Sequence, residues 1–308
     1  MTVILKKVQY VPIKIIVMDI NVILSESFEK WLKTLEYAPS TVYASVRYVN
    51  DFFFYLKSSE ITNLEAIQPQ TLTNYNKHLQ CRKNKRQNGS LSNNYITSNI
   101  NAIKRFSRYL QETGKPFFEV EIKTRPDKET SKIILTQSEI KALYKACDNS
   151  ILGIRDRAIL SIYYGCGLRR SEGVSLNVND VLLKEKRIHV RQGKGYKERY
   201  IPMTEAVKED IENYIYVARE KIRSFKNAKP EALFLSMQVN RLCGNAIIER
   251  VHRLAEASKL QKDIGIHTLR HSIATHLLQS GMTLEEVSQF LGHSSLESTQ
   301  IYTHLANA

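Results

Sequence analysis

The sequence predicts a mainly α-helical protein of two domains, with one small β-hairpin or sheet in the second. Three observations carry that reading. A chain of 308 residues is twice the ~150 of an average domain, and its 43% hydrophobic and 25% charged residues are ordinary globular proportions, so each half can bury a core. Apolar residues recur at intervals of three and four along most of the chain. A single stretch alternates instead, and it closes on a glycine-rich turn.

Residues 1–24 form a short extension whose β-branched stretch, broken by Pro12, reads as one or two strands, either pairing with the domain that follows, the preferred reading, or making a minimal DNA contact. From 25 to 118 the pattern is a small helical bundle. Ser25 is placed to cap a first helix carrying Phe28, Trp31, Leu32 and Leu35. Pro39 opens a second, with Val42, Val46, Val49, Phe53 and Leu56 on one face and Thr41 and Arg47 on the other. A third follows Gln68. A fourth starts near Ser92, turning Ile96, Ile100, Ile103 and Leu110 inward and Lys104, Arg105 and Arg108 outward, after a basic polar loop from Arg82 to Ser90. Residues 119–135 lose the period, gain Pro126 and carry Lys123, Arg125, Lys128 and Lys132, which marks a basic linker. Residues 136–308 are helical again, with Thr136 or Ser138 as first cap. The interruption is Arg187 to Gln192, the turn GKGYKE, and RYIPM from Arg199, a hairpin. Helices resume after Thr204, over Ile247 to Ala257, His267 to Gln279 and Leu284 to Phe290, and from Leu296 onward.

Charge narrows the function. Lys and Arg number 45 against 31 Asp and Glu, a formal excess of +14 that points to a polyanionic partner. Cys81, Cys147, Cys166 and Cys243 form no Cys-x-x-Cys pair, so neither a disulfide framework nor a zinc ribbon is indicated, and a reducing cytoplasm suits them. Lys6, Lys7, Lys14 and Asp19 interrupt the apolar N-terminus before it reaches the ~18 residues of a membrane span.

A protein that breaks a DNA phosphodiester without metal or ATP needs cationic donors for the phosphate oxygens, a proton for the leaving alkoxide and a side-chain nucleophile. Arginine suits the first because its planar fork gives two parallel bonds to one phosphate. The chain offers Arg169 in Gly165-Cys166-Gly167-Leu168-Arg169-Arg170-Ser171-Glu172, where the glycines end one helix and Glu172, three residues on, is placed to orient the arginine. It offers Lys194 in the hairpin turn, with Lys197 and Arg199 close by, and His267 and Arg270 three apart on one helical face. Leu291-Gly292-His293 and then Tyr302 complete the set. Taken singly, each has a plainer reading as a surface arginine, a solvated lysine or a packed tyrosine. His267 and His271 also have the spacing of a zinc pair, but no Glu follows His267 and Arg270 repels a cation.

Together, GLRRSE, GKGYKER, HTLRH, LGH and Tyr302 resemble the tyrosine recombinases, the phage-integrase family, in order and spacing from about Thr136 to Tyr302. The layout looks closest to Xer-type recombinases, whose core-binding domain is a SAM-like helical bundle. The resemblance implies a C-shaped DNA clamp, a core DNA-binding bundle plus a catalytic domain. It implies that Tyr302 attacks the phosphate to form a 3′-phosphotyrosine, that Arg169, His267, Arg270 and His293 stabilise the transition state, and that Lys194 protonates the 5′-oxygen; Arg170 and Lys197 are the alternatives if the register slips. It implies double-stranded DNA with inverted half-sites as partner, a homo-tetramer passing through a Holliday junction, and no cofactor. Thr41, Arg47, Lys104, Arg105 and Arg108 are the expected DNA contacts of the bundle, and Asn245 and Arg250 those of the helix resembling the family's groove reader.

Three departures stand out. Gly173 replaces a common aliphatic residue at a helix-propensity cost of ~1 kcal/mol. Cys166 replaces Thr or Ser. Six residues follow Tyr302, where Xer-type relatives carry a further helix that docks on a neighbouring subunit. A type IB DNA-relaxing enzyme and a catalytically silent DNA-binding protein on the same fold are the rival readings. Length and the N-terminal bundle argue against the first, the intact six residues against the second. Integration, excision, inversion and dimer resolution, on a chromosome or a mobile element, stay open.

Overall fold

The computed structural model describes residues 20–84, 89–123, 133–191, 198–226, 230–292 and 299. The N-terminal strands expected before residue 20, the hairpin turn with Lys194, and His293 and Tyr302 lie outside the described residues. So do the middle of the linker, the core of the basic loop and all but Thr299 of the last helix. The chain divides into two compact units, Met1–Thr130 and Ser131–Ala308.

In the first unit α1 (Ile20–Thr34), α2 (Pro39–Ser58), α3 (Pro69–Cys81) and α4 (Asn93–Glu112) enclose an aromatic-rich core. Pro39 occupies the first turn of α2, where a missing N–H breaks no helical bond. Ser92 caps α4 by accepting from the Tyr95 N–H. Val42, Val49, Phe53 and Leu56 of α2 are buried with Ile96, Ile100, Ile103 and Leu110 of α4, as their spacing requires. Ser25 departs from expectation: α1 already begins at Ile20, and the buried Ser25 hydroxyl donates to Asn50 Oδ1 of α2 at 2.8 Å. A helix-to-helix bond takes the hydroxyl that capping would have used. Phe118 is buried with its carbonyl accepting from the Ser107 hydroxyl, and Val120 and Ile122, assigned by composition to the linker, pack on the same core.

The second unit begins with Leu135, fully buried, its N–H donating to Ser272 Oγ at 2.9 Å. Thr136 and Glu139 then form a capping box on α5 (Gln137–Lys145). α6 (Ile151–Leu160) runs into a π turn, Ser161–Gly165, and a second π turn, Tyr214–Ala218, joins α8 (Glu205–Asn213) to α9 (Arg219–Ser224). Between them lie α7 (Arg170–Ser175) and an antiparallel sheet in the order β1 (Val181–Leu182), β2 (Arg187–Val190), β3 (Arg199–Pro202). β2 and β3 pair from Arg187↔Pro202 to Val190↔Arg199, the hairpin expected; β1 adds a third strand of two residues, too short to show alternation. α10 (Gly244–Ala257), α11 (Ile266–Gln279) and α12 (Leu284–Leu291) follow. Ile159, Tyr163, Ile188, Ile201, Ile211, Val251 and Leu269 share one core, so the sheet and these helices are held rigidly together. Among the described residues no helix is long and apolar enough to cross a membrane.

Gly173 now has a reason. A Cβ there would lie 2.5 Å from the hydroxyl of the fully buried Tyr163, which donates to the Arg170 carbonyl at 3.1 Å. The ring occupies the space of an aliphatic side chain and braces the segment carrying Arg169 and Arg170. Cys166 is fully buried, and burial pushes its thiol up to about 12, so it is protonated and shielded from oxidants at neutral pH.

Candidate active site

Arg169 stands just before α7, at the N-cap, rather than inside it. Glu172 holds it twice: Oε2 accepts the Arg169 backbone N–H and Oε1 accepts Nη1, both at 2.8 Å. Its Nη2 donates to the Gly292 carbonyl at 2.7 Å. That carbonyl points the required way because Gly292 ends α12 in the left-handed conformation, φ +65°. His293 is the next residue in the chain.

Arg270 is buried on α11 and bridges two backbones, donating from Nη1 to the Gly167 carbonyl and from Nη2 to the Leu291 carbonyl at 2.7 Å. Gly167 lies two residues before Arg169 and Leu291 two before His293. Arg270 thus fastens the segment that presents one arginine to the segment that leads to the second histidine. Gly167 is itself left-handed, φ +59°, and a Cβ on it would lie 2.8 Å from Leu291 Cδ2, so these two segments touch only because it is glycine.

His267 lies on the exposed side at the start of α11. Its pKa is lowered below the ordinary imidazole value, by partial burial first and then by Arg270, Arg170 and Arg169. The neutral ring is favoured, which makes its contribution to an anion a hydrogen bond more than a charge. Arg170, exposed, lies along the start of α10: a Cβ on Gly244 would be 3.2 Å from Arg170 Cδ. The exposed Asn245 follows that glycine. Arg169, Arg170 and Arg270, the three cations acting on His267, therefore belong to one region, built from the start of α7, the start of α11 and the end of α12.

Arg199, the first residue of β3, was noted in the sequence only as a neighbour of Lys194, yet it belongs to this cluster. Its Nη1 and Nη2 donate to Glu172 Oε1 and Oε2 at 3.0 and 2.9 Å. Glu172, its side chain 2% exposed, is held well below the usual carboxylate range, at about 2, by the Arg199 and Arg169 contacts acting against desolvation. Strand alternation carried the missing signal: Arg199 shares a face with the fully buried Ile201, and an arginine on an inward strand face requires a carboxylate partner.

Among the described residues no three metal-ligating side chains converge; the His267 and His271 rings are 6.4 Å apart.

The expected DNA contacts divide. Arg47 and Lys104 are exposed, and Thr41 is half-buried. The Arg47 guanidinium sits 5.0 Å over the Tyr48 ring. Arg105 and Arg108 are engaged within the bundle: Arg105 is half-buried and donates to Ser45 Oγ at 3.2 Å, while Arg108 donates to the Tyr37 hydroxyl at 3.0 Å and lies over Trp31 at 5.2 Å. Arg250 departs furthest from expectation. Its Nε lies 3.0 and 2.9 Å from the two oxygens of Asp156, and Nη2 bonds the same carboxylate, whose side chain is 1% exposed. This guanidinium is held by a buried carboxylate and ties α10 to α6. Among the described residues Arg250→Met leaves Asp156 paired with Arg155, whose Nε is 3.9 Å away, and is expected to cost about 3 to 5 kcal/mol in urea unfolding without changing DNA site preference. An unchanged midpoint would show that the pair adds nothing to stability, and an altered site preference would assign Arg250 to DNA.

The sequence matches the model of the phage integrase family over residues 134–308. It is 35% identical over 223 residues to the tyrosine recombinase XerC of Oceanobacillus iheyensis, covering 70% of this chain and 71% of that one. It is also 35% identical over 215 residues to the tyrosine recombinase XerD of the same organism, covering 69% and 72%. The fold matches the XerH site-specific recombinase solved on its difH substrate before cleavage, with a TM-score of 0.67 at 20% identity over 91% of this chain and 81% of that one.

Proposed function

The chain belongs to the phage integrase family and is a tyrosine-type site-specific DNA recombinase, and from that premise we propose that Tyr302 is its nucleophile and the arginine cluster around Glu172 its phosphate-binding centre. The observation that carries the proposal is the double fastening by Arg270, which ties the segment of Arg169 to the segment leading to His293 while His267 stands among the same arginines. Preorganised cations stabilise negative charge without reorganising as it develops.

In this reading the Tyr302 hydroxyl attacks phosphorus and gives up its proton to solvent, the bond to the 5′-oxygen breaks, and a 3′-phosphotyrosine forms. Arg169 and Arg270 take the charge on the non-bridging oxygens, and His267 and His293 donate hydrogen bonds. Lys194, in the turn closed by the Val190↔Arg199 pair, gives its proton to the 5′-oxygen. A 5′-hydroxyl from another strand reverses the step, so one phosphodiester is exchanged for another and no metal or ATP is consumed. Domain 25–118 grips duplex DNA through residues such as Arg47 and Lys104, and Asn245 of domain 136–308 contacts it near the site. Four copies on inverted half-sites exchange strands through a Holliday junction in the cytoplasm.

Incubation with negatively supercoiled plasmid in EDTA tests the metal-free chemistry. Covalent protein–DNA adduct, or relaxation, is expected on denaturing gels; activity that appears only when magnesium is restored would contradict the proposed mechanism.

A further inference from the structure

Glu172 sits between two guanidiniums, but they hold it differently. Arg199 engages both carboxylate oxygens with both of its terminal nitrogens, whereas the Arg169 side chain gives Glu172 a single bond and sends its other terminal nitrogen to Gly292. Arg199 is itself enclosed, its side chain 13% exposed. A Cβ on Gly292 would lie 2.6 Å from its Nε, which has no partner among the described residues, so this side chain lies under the turn that leads to His293.

The charges explain the asymmetry. Arg169 and Glu172 alone sum to zero. A carboxylate with no second partner turns both oxygens to the nearest fork, the favoured bidentate pairing, and draws that arginine away from any other anion. With Arg199 present the triad carries one net positive charge and the carboxylate is already occupied.

We infer that Arg199 is a positioning residue for strand cleavage: by occupying both oxygens of Glu172 it limits Arg169 to one side-chain bond with that carboxylate and leaves its charge for the scissile phosphate. The inference rests on the reading that Arg169 acts on that phosphate. It also gives the base of the hairpin a task, since Arg199 joins β3 to the start of α7 and the end of α12.

The test is the rate of covalent adduct formation on a duplex that wild-type protein captures from a library with a randomised half-site, with duplex affinity and thermal melting measured in parallel. Arg199→Met is expected to slow adduct formation at least ~30-fold, in the range of a lost oxyanion donor, while affinity and cooperative melting are kept. Adding Glu172→Gln removes the carboxylate that captures Arg169, so the double variant is expected to be at least ~10-fold faster than Arg199→Met alone, an interaction of opposite sign to simple loss of packing. An Arg199→Met protein that cleaves at the wild-type rate, or a double variant no faster than the single one, overturns the inference. If methionine prevents folding, Arg199→Lys decides: it returns the charge, and a rate within ~10-fold of wild type supports the inference while a larger loss overturns it. Failure of the wild type to capture any duplex overturns the reading of the site itself, and this inference with it.

Discussion

Tyr302→Phe is expected to abolish covalent adduct, by a factor on the order of 10⁴ or more, while duplex affinity stays within about twofold. The substitution removes only the hydroxyl oxygen proposed to attack phosphorus and leaves every charged side chain of the arginine cluster in the sequence. Quantitative gel shifts read affinity, and denaturing gels read adduct. A silent DNA-binding protein on this fold would show no change in either measurement. Residual cleavage above that level would mean that another group attacks the phosphate. Thr299, three residues before Tyr302 in the sequence, is fully buried.

Arg270→Lys is expected to cost about 10² to 10³ in cleavage rate. The charge survives, but one ammonium does not reproduce the planar fork that spans the Gly167 and Leu291 carbonyls. The two flanking segments then lose the Arg270 tie and keep the bond from Arg169 to the Gly292 carbonyl, so the mutual placement of Arg169 and the end of α12 loosens. Because the residue is buried, melting is expected to fall as well, so the rate is compared at a temperature where the variant is fully folded. Single-turnover cleavage with unchanged duplex affinity places the loss in the chemical step; a loss confined to affinity would make Arg270 a DNA anchor instead.

How legible all this was in the sequence depended on how local each interaction is. Helix faces in the bundle followed from spacing because each buried set, such as Ile96, Ile100, Ile103 and Leu110, lies on one element. The Arg169–Glu172 contact was legible for the same reason, three residues apart at a helix start. What escaped was pairing between elements. Arg250 meets Asp156 across 94 positions, Arg199 meets Glu172 across 27, and Ser25 reaches Asn50 across 25, and no periodicity encodes such partners. Arg105 and Arg108 were read as an outward basic face because their helical positions oppose the apolar stripe; Arg108 is exposed and Arg105 half-buried, and the spacing gave no sign that Trp31 and Tyr37 of the neighbouring segment lie against them. Gly173 looked like a weak point by propensity alone, and only the position of the Tyr163 ring shows why a side chain is excluded there. The motif order from GLRRSE to Tyr302 pointed to the family because it samples the whole catalytic half rather than one element.

The central claim is that this arginine-rich centre delivers a phosphate to Tyr302. The most direct measurement is to trap the adduct formed in EDTA, digest both protein and DNA, and identify the joined peptide and nucleotide by mass spectrometry. The expected product is a nucleotide joined through its 3′-phosphate to Tyr302 in the peptide containing Ile301-Tyr302-Thr303-His304. Attachment to any other residue, or through a 5′-phosphate, would contradict it.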